Sequence, residues 1–175
     1  MSYEEKTVRE NYIFKGKIIN VRCDDALLPN GKPCTREVVE HNGGACVLYV
    51  EGDKLLFVRQ YRYAYKESVL EIPAGKLEKG EDPKLAAMRE LEEEAGIKSE
   101  NLTLLFVLYP TPGYNNEKIY IYRAEDGERV PAHLDEDEFL DIEWIEKEKV
   151  KEMLCKGEIH DAKTLVAIQS YFLHE

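Results

Sequence analysis

Three glutamates, Glu90, Glu93 and Glu94, fall in a stretch whose other residues read as a helix. Asp82 suits the N-cap and Pro83 the first helical position, and Gly96 offers a left-handed stop after Ala95. At about 100° per residue the three carboxylates share one arc of about 100°. They repel one another, a helix has no need of them for stability, and no lysine stands among them to relieve the repulsion. A hard divalent cation would relieve it, because Mg²⁺ takes carboxylate oxygens. The plain alternative is a solvated acidic helix. On the same helical wheel Leu85, Met88, Leu91 and Ala95 form the apolar side, with Glu92 among them. Either Glu92 sits at a wet edge or the helix is tilted there.

Positioning such a stripe takes a sheet. Residues 45–50 (ACVLYV), the turn at 51–53 and residues 54–58 (KLLFV) form the clearest hairpin. Residues 69–72 read as a short strand that feeds Pro73-Ala74-Gly75 and so the loop before the helix. Residues 102–109 and 118–123 are strands flanking the loop Pro110-Thr111-Pro112-Gly113, and residues 139–145 alternate as a further strand. Residues 147–155 and 162–173 read as amphipathic helices, the last with Leu165, Ile168, Gln169 and Phe172 along one face. Upstream, residues 12–21 read as one strand, residues 28–32 (LPNGK) as a turn, and residues 35–41 as a strand pairing back across it. This first segment of about 40 residues looks like an appended sheet. Short strands with interspersed helices, rather than strict βαβ repetition, predict a mixed sheet covered by helices.

The chain has 175 residues, of which 43% are hydrophobic and 34% charged, with a single tryptophan. That is one unit by length, with a single substantial core. A net charge of −11 argues against a general nucleic-acid or membrane-surface binder, which needs a basic face. A phosphorylated small molecule stays open, since metal ions and a few local arginines offset the charge. The first residues carry no apolar signal core, and no apolar run approaches membrane-spanning length. Cys23, Cys34, Cys46 and Cys155 are scattered without metal-binding spacing. Reduced thiols in a cytoplasmic protein are the expectation.

Gly75, Glu81 and Arg89-Glu90-Leu91-Glu92-Glu93-Glu94-Ala95-Gly96-Ile97 fill every specified position of G-x5-E-x7-R-E-U-x-E-E-x-G-U, with U a bulky apolar residue. Chance would match it in fewer than about one chain in a million. The stretch resembles a complete Nudix box. The resemblance implies an α/β/α sandwich with a mixed β-sheet, preceded here by an N-terminal antiparallel sheet extension, with boundaries expected at 1–42 and 43–175. It also implies hydrolysis of a nucleoside diphosphate linked to another group, by attack of water on phosphorus with Mg²⁺ (Mn²⁺ as an alternative). By that resemblance Glu90 and Glu94 are metal ligands with Glu93 close behind, and the carbonyl of Ala74 is a backbone ligand. Arg89 orients Glu93, four residues on. Glu81 braces the loop or joins the metal.

Further stretches, Gln60-Tyr61-Arg62, Leu70 to Gly75, Pro112-Gly113 with Glu117, and Asp161-Ala162-Lys163-Thr164, resemble the ADP-ribose pyrophosphatase branch in order and spacing. The implied roles follow. Arg62 reaches the substrate phosphates through its bidentate fork, and Arg36 assists it or pairs with a carboxylate across a homodimer. Glu71 contacts the nucleotide or supports the metal loop. Gly113 belongs to the substrate loop, and Glu117 accepts hydrogen bonds from the terminal ribose diol. The acidic segment from Leu134 to Glu138 is similar to a loop that delivers the general base, at Glu136 or alternatively Glu138. Tyr12 and Phe14 stack on the base from the dimerising N-terminal sheet or belong to the core. The four histidines show no ligand spacing and take no part.

The expected activity is therefore hydrolysis of ADP-ribose to AMP and ribose 5-phosphate by a cytoplasmic homodimer, with neither nucleic acid nor membrane as partner. Rival readings are another nucleotide-sugar or nucleoside-diphosphate pyrophosphatase with the same metal site, or a non-catalytic ligand sensor, which usually has a damaged box. A calcium-binding module fits less well, since no D-x-D-x-D-G loop is present.

Overall fold

The structure is a computed structural model in which residues 3–134 and 138–174 are described. The chain divides into two compact units, Met1–Gly43 with Tyr109–Lys118, and Gly44–Leu108 with Ile119–Glu175.

The first unit is an antiparallel sheet of β1 (Lys6–Arg9), β2 (Tyr12–Lys15), β3 (Ile19–Leu27) and β4 (Pro33–His41). Strand β3 carries β1 and β2 in tandem along one edge and β4 along the other. The single strand expected over 12–21 is broken. The Gly16 N–H donates to the Ile19 carbonyl at 3.0 Å, turning the chain so that Tyr12 lies opposite Arg22. The Phe14 ring packs so close over Gly16 that a Cβ there would stand 2.5 Å from it. The turn at 28–32 forms as expected and closes on Gly31, whose φ is +80°. From the segment Tyr109–Lys118, the carbonyl of Tyr114 and the N–H of Asn116 bond to Val39.

The second unit holds β5 (Gly44–Glu51), β6 (Lys54–Arg62), β7 (Glu67–Glu71), β8 (Ala74–Lys76), α1 (Pro83–Ala95), β9 (Ile97–Lys98), β10 (Thr103–Leu108), β11 (Ile119–Ala124), β12 (Glu128–Arg129), β13 (Leu140–Glu146), α2 (Lys147–Lys156) and α3 (Ala162–His174). Its mixed sheet runs β10-β11-β5-β6-β13, with β7 also on β6 and β8 also on β5. Strands β5 and β11 are parallel and the other pairs antiparallel. The β5–β6 hairpin closes with only Val50 opposite Leu55 and Glu51 opposite Lys54. Beyond that neck the two strands part and take different partners.

Both faces of β5 are covered, which is why its sequence is a continuous apolar run rather than an alternation. Ala45, Val47 and Tyr49 pack with Leu56 against Ala86, Ala87, Leu91 and Ala95 of α1. Cys46, Leu48 and Val50 pack with Leu55 and Phe57 against Val150 of α2 and Ala167, Ile168 and Tyr171 of α3. This is the expected α/β/α sandwich. Among the described residues no helix is long and apolar enough to cross a membrane.

Helix α1 begins and ends where its caps place it. Asp82 accepts from the N–H groups of Lys84 and Leu85, a cap worth about 1 kcal/mol, and Gly96 adopts φ +62°. Its buried side departs from the expected one at Leu85, while Leu91 and Ala95 are buried and Met88 packs partly buried against the core. Leu85 is 60% exposed, and Ala86, Ala87, Glu90, Leu91, Glu94 and Ala95 form the buried stripe, with Glu92 half-buried at its edge. Helix α3 is likewise turned by about one residue. It buries Thr164, Ala167, Ile168 and Tyr171, while Gln169 is exposed. The rotation brings the Thr164 hydroxyl to the Ile72 N–H at 2.9 Å, a bond worth about 1 kcal/mol.

A Cβ on Gly96 would lie 2.5 Å from the Val130 carbonyl oxygen, in a backbone region that L residues avoid. Gly96→Ala is expected to cost at least about 1 kcal/mol of stability, read as a lowered urea midpoint. An unchanged midpoint would show that this helix end does not constrain the fold.

Candidate active site

The site is built where β8 runs into α1. The buried carboxylate of Glu94, 2% exposed, accepts from the Ala74 N–H at 2.9 Å. Glu90, one turn earlier, lies against the Cα of Gly75: a Cβ there would stand 1.8 Å from Glu90 Oε1. This close approach of backbone and carboxylate is the physical reason for a glycine at the start of the motif. Burial above all, with a smaller contribution from the charge of Glu138, raises the Glu90 carboxyl to about 7 and the Glu94 carboxyl to about 8.

Arg89 answers the repulsion that the sequence announced. Its Nη1 stands 2.8 Å from both Glu90 Oε1 and Glu93 Oε2, and its Nε donates to Glu81 at 3.3 Å. Arg89 therefore pairs with Glu90 as well as with Glu93. Glu81 braces the loop, its other oxygen accepting from the Glu78 N–H at 2.8 Å.

Whether these residues suit a divalent cation turns on donor chemistry and burial. As the side chains stand, no three His, Cys, Asp or Glu side chains among the described residues converge tightly enough to hold one. The reason is visible in the geometry: Arg89 occupies the cationic place between Glu90 and Glu93, and Glu94 turns to the Ala74 N–H. The donors are nonetheless hard oxygens, and of the two buried carboxylates Glu90 shares Arg89 with Glu93 while Glu94 is held by a backbone N–H. That set fits Mg²⁺ or Mn²⁺ better than a softer ion. Glu90 and Glu94 fit best, while Glu93 is a third exposed and engaged by Arg89.

One segment is tied to the end of α1 by two hydrogen bonds. The Val130 N–H donates to the Gly96 carbonyl and the His133 N–H to that of Glu93, each at 2.9 Å. Residues 130–133 thus lie across the helix terminus just before the acidic segment. Among the described residues of that segment, the charge of Glu138, half-buried ahead of β13, is felt at Glu90 and Glu94. Glu136 lies outside the described residues.

A second cluster sits at the end of β6. Arg62 grips Glu71 with both Nε and Nη2, at 2.5 and 2.6 Å. Lys163 of α3 reaches the same carboxylate and also stands 3.1 Å from Asp161 Oδ1. Burial works against a charge on Glu71, yet Arg62 and Lys163 together hold its carboxyl below the usual range. Hydrogen bonding to Glu71 raises Arg62 despite burial, and the charge of Glu94 contributes to that rise. Arg62 and Glu94 of α1 therefore feel each other's charge. Asp161 caps α3, accepting from the Thr164 N–H at 3.0 Å. The Asp-x-x-Thr spacing announces that cap, but the long-range bonds of Lys163 and Thr164 to the β7 end have no local signal.

The remaining expected substrate residues belong to the N-terminal unit. Arg36 is held bidentately by Glu5 of its own chain, at 2.7 and 2.6 Å. Gly113 sits in the turn after Thr111, with open space where a Cβ would project. Glu117 lies 3.4 Å from His41 Nδ1 and accepts from the Asn115 side chain at 3.3 Å. His41, which spacing alone passed over, is thus the neighbour of a predicted ribose ligand. Tyr12 and Phe14 are exposed, with the Tyr12 hydroxyl bonded to Glu40.

Comparison with known proteins agrees with this geometry. A family profile described as "NUDIX domain" matches residues 40–167, and another, "Nucleoside diphosphate sugar hydrolase N-terminal domain", matches residues 5–39. The chain is 41% identical to an ADP-ribose pyrophosphatase of Bacillus subtilis (strain 168), covering 99% of this chain and 96% of that one. It is 40% identical to a methanol dehydrogenase activator of Bacillus methanolicus, covering 99% and 95%. It is 33% identical to a GDP-mannose pyrophosphatase of Enterobacter sp. (strain 638), covering 95% and 91%. A crystal structure of an ADP compounds hydrolase superposes with a TM-score of 0.83 over 96% of this chain and 92% of that one, at 23% identity, and so shares the fold. With a complete box folded onto a sandwich of this kind, the chain belongs to the Nudix hydrolase family.

Proposed function

We propose that the protein hydrolyses the pyrophosphate bond of ADP-ribose, releasing AMP and ribose 5-phosphate, with Mg²⁺ as the ion and Mn²⁺ able to replace it. The observation that carries this is the buried pair Glu90 and Glu94, set against the Ala74–Gly75 backbone in the same field as Arg62. The names of the Bacillus subtilis relative and of two others, from Mycobacterium tuberculosis (strain ATCC 25618 / H37Rv) and Haemophilus influenzae (strain ATCC 51907 / DSM 11121 / KW20 / Rd), support the choice of substrate.

Glu90 and Glu94 hold the cation, with Glu93 and the Ala74 backbone as further donors. When bound, the ion neutralises the diphosphate oxygens and acidifies the attacking water. Arg89 keeps Glu90 and Glu93 in place. Arg62 offers its unspent N–H donors to the phosphates, Glu71 keeping the guanidinium oriented. Glu138, or Glu136 of the same segment, takes the proton of the attacking water. Arg36, Gly113 and Glu117 are assigned to substrate as well, Glu117 accepting from the terminal ribose hydroxyls. The working form is a cytoplasmic homodimer assembled through the N-terminal sheet. Its exposed Val8, Ile13, Phe14 and Ile18 are the kind of apolar surface that a partner covers. A second reading, a nucleotide-sugar pyrophosphatase, draws on the residue 5–39 profile and the GDP-mannose pyrophosphatase relative.

Assayed with Mg²⁺ against a panel of nucleoside diphosphate derivatives, the protein should prefer ADP-ribose. A strong preference for GDP-mannose or a dinucleoside polyphosphate would overturn the first reading in favour of the second. Glu94→Gln should lower kcat by about a thousandfold or more while the fold survives; turnover near the wild-type rate would remove Glu94 from the metal site.

The same residue links function to stability. A carboxyl raised from 4.5 to about 8 in the folded state destabilises the metal-free protein as pH climbs between those values. Metal-free Tm should therefore fall over that window. Glu94→Gln should fall less steeply and stand several degrees above the wild type near pH 8, while losing the Tm gain that Mg²⁺ gives the wild type. Parallel Tm curves for the two proteins would contradict the buried-charge account.

A further inference from the structure

We propose that Lys163 is a positioning residue: acting through Glu71, it sets how firmly Arg62 is held and how many of its donors face a diphosphate. The inference deepens the hydrolase reading above and rests on it for the identity of the substrate.

Arg62 has five N–H donors, of which Nε and one on Nη2 are spent on Glu71. The three others remain for phosphate oxygens. Glu71 is 2% exposed, so it cannot share its charge with water. Left alone with Arg62, so buried a carboxylate would clamp the guanidinium as its sole counter-ion. Lys163 prevents that by donating to Glu71 Oε2, the oxygen that already accepts from Arg62 Nη2. Asp161 in turn balances Lys163 at 3.1 Å. Two cations and two anions thus alternate, Arg62, Glu71, Lys163, Asp161, and the chain of charges is neutral as a whole.

The two ends of this network differ in exposure. Arg62 is 40% exposed at its side chain and Lys163 only 11%. Lys163 has its ammonium between two carboxylates and is covered, so its influence on a ligand passes through Glu71. The network is also fixed in space. Asp161 caps α3, and Thr164 of the same helix accepts from the Ile72 N–H, the residue next to Glu71. Helix α3 therefore holds the end of β7 at two adjacent residues, one by its backbone and one by its side chain. From there the chain passes through Pro73 to Ala74, whose N–H meets Glu94.

The test compares wild type, Lys163→Met and Lys163→Arg by kinetics with ADP-ribose and Mg²⁺, and by calorimetric binding of ADP, which needs no turnover. Lys163→Met should raise KM and weaken ADP binding by about tenfold, with kcat within about threefold of wild type. Lys163→Arg, which keeps the charge, should recover most of the affinity. A double-mutant cycle of Glu71→Gln with Lys163→Met should be markedly less than additive, because both act on one link. A Lys163→Met protein that melts earlier but keeps its KM and ADP affinity would overturn the proposal, as would strict additivity in the cycle. If Lys163→Met does not fold, Lys163→Gln, which keeps a donor and loses the charge, carries the same comparison. Failure of the wild type to hydrolyse ADP-ribose would overturn only the substrate assignment, since the ADP arm would still report on Arg62.

Discussion

Two carboxylates buried side by side, Glu90 and Glu94, are the constraint on which the rest of the second unit depends. An isolated carboxylate out of water is unfavourable by several kcal/mol unless it is protonated, paired or bound to a cation. The fold accommodates this pair with an unusually bare environment. Gly75 leaves its Cα open to Glu90, the Ala74 N–H is given to Glu94, and Arg89 bridges outward to Glu93. Helix α1 can carry such a burden because its other buried positions are small and apolar. Ala86, Ala87, Leu91 and Ala95 seat it closely on Val47, Tyr49 and Leu56.

The stability given up at this stripe is recovered elsewhere, as is usual where a site needs destabilised groups. Asp82 and Gly96 secure the two ends of the helix. The opposite face of the sheet is wholly conventional, with Leu48, Val50, Leu55 and Phe57 under α2 and α3. That separation is economical: one face of β5 supports the charged machinery and the other supplies uninterrupted hydrophobic burial. Helix α3 belongs to both, since its middle fills the core while its first turn orders the Arg62 cluster.

The N-terminal unit follows a different logic. Its strands lie in one four-stranded sheet whose β1 and β2 are exposed at every position, and its order comes from strand pairing and ion pairs such as Arg22 with Glu10, Asp24 and Glu40. Its aromatic and aliphatic side chains, among them Ile13, Phe14 and Ile18, stand in the open.

The box and its helix were legible in the sequence because their determinants are local. A cap residue, a proline, a left-handed glycine and carboxylates three and four apart act within a few turns of one helix, so Asp82, Gly96 and the Glu90–Glu94 stripe stand where their spacing puts them. The sandwich was legible as well, because burial of both faces of β5 leaves a continuous apolar run. What only the tertiary structure decided is which side of each helix faces inward and which distant groups meet. Leu85 is turned out and α3 rotated because packing against the sheet outweighs the average periodicity of the helix. Residues 12–21 split where the Gly16 N–H turns back to the Ile19 carbonyl, and a ring from Phe14 fills the space a side chain at 16 would need. Lys163 finds Glu71 across 92 residues, and His41 finds Glu117. The sequence by itself determined that this chain gathers carboxylates on one stripe of a capped helix. Only the fold decided which charges stand beside them, since electrostatic partnership depends on distance in space and carries no mark in the order of residues.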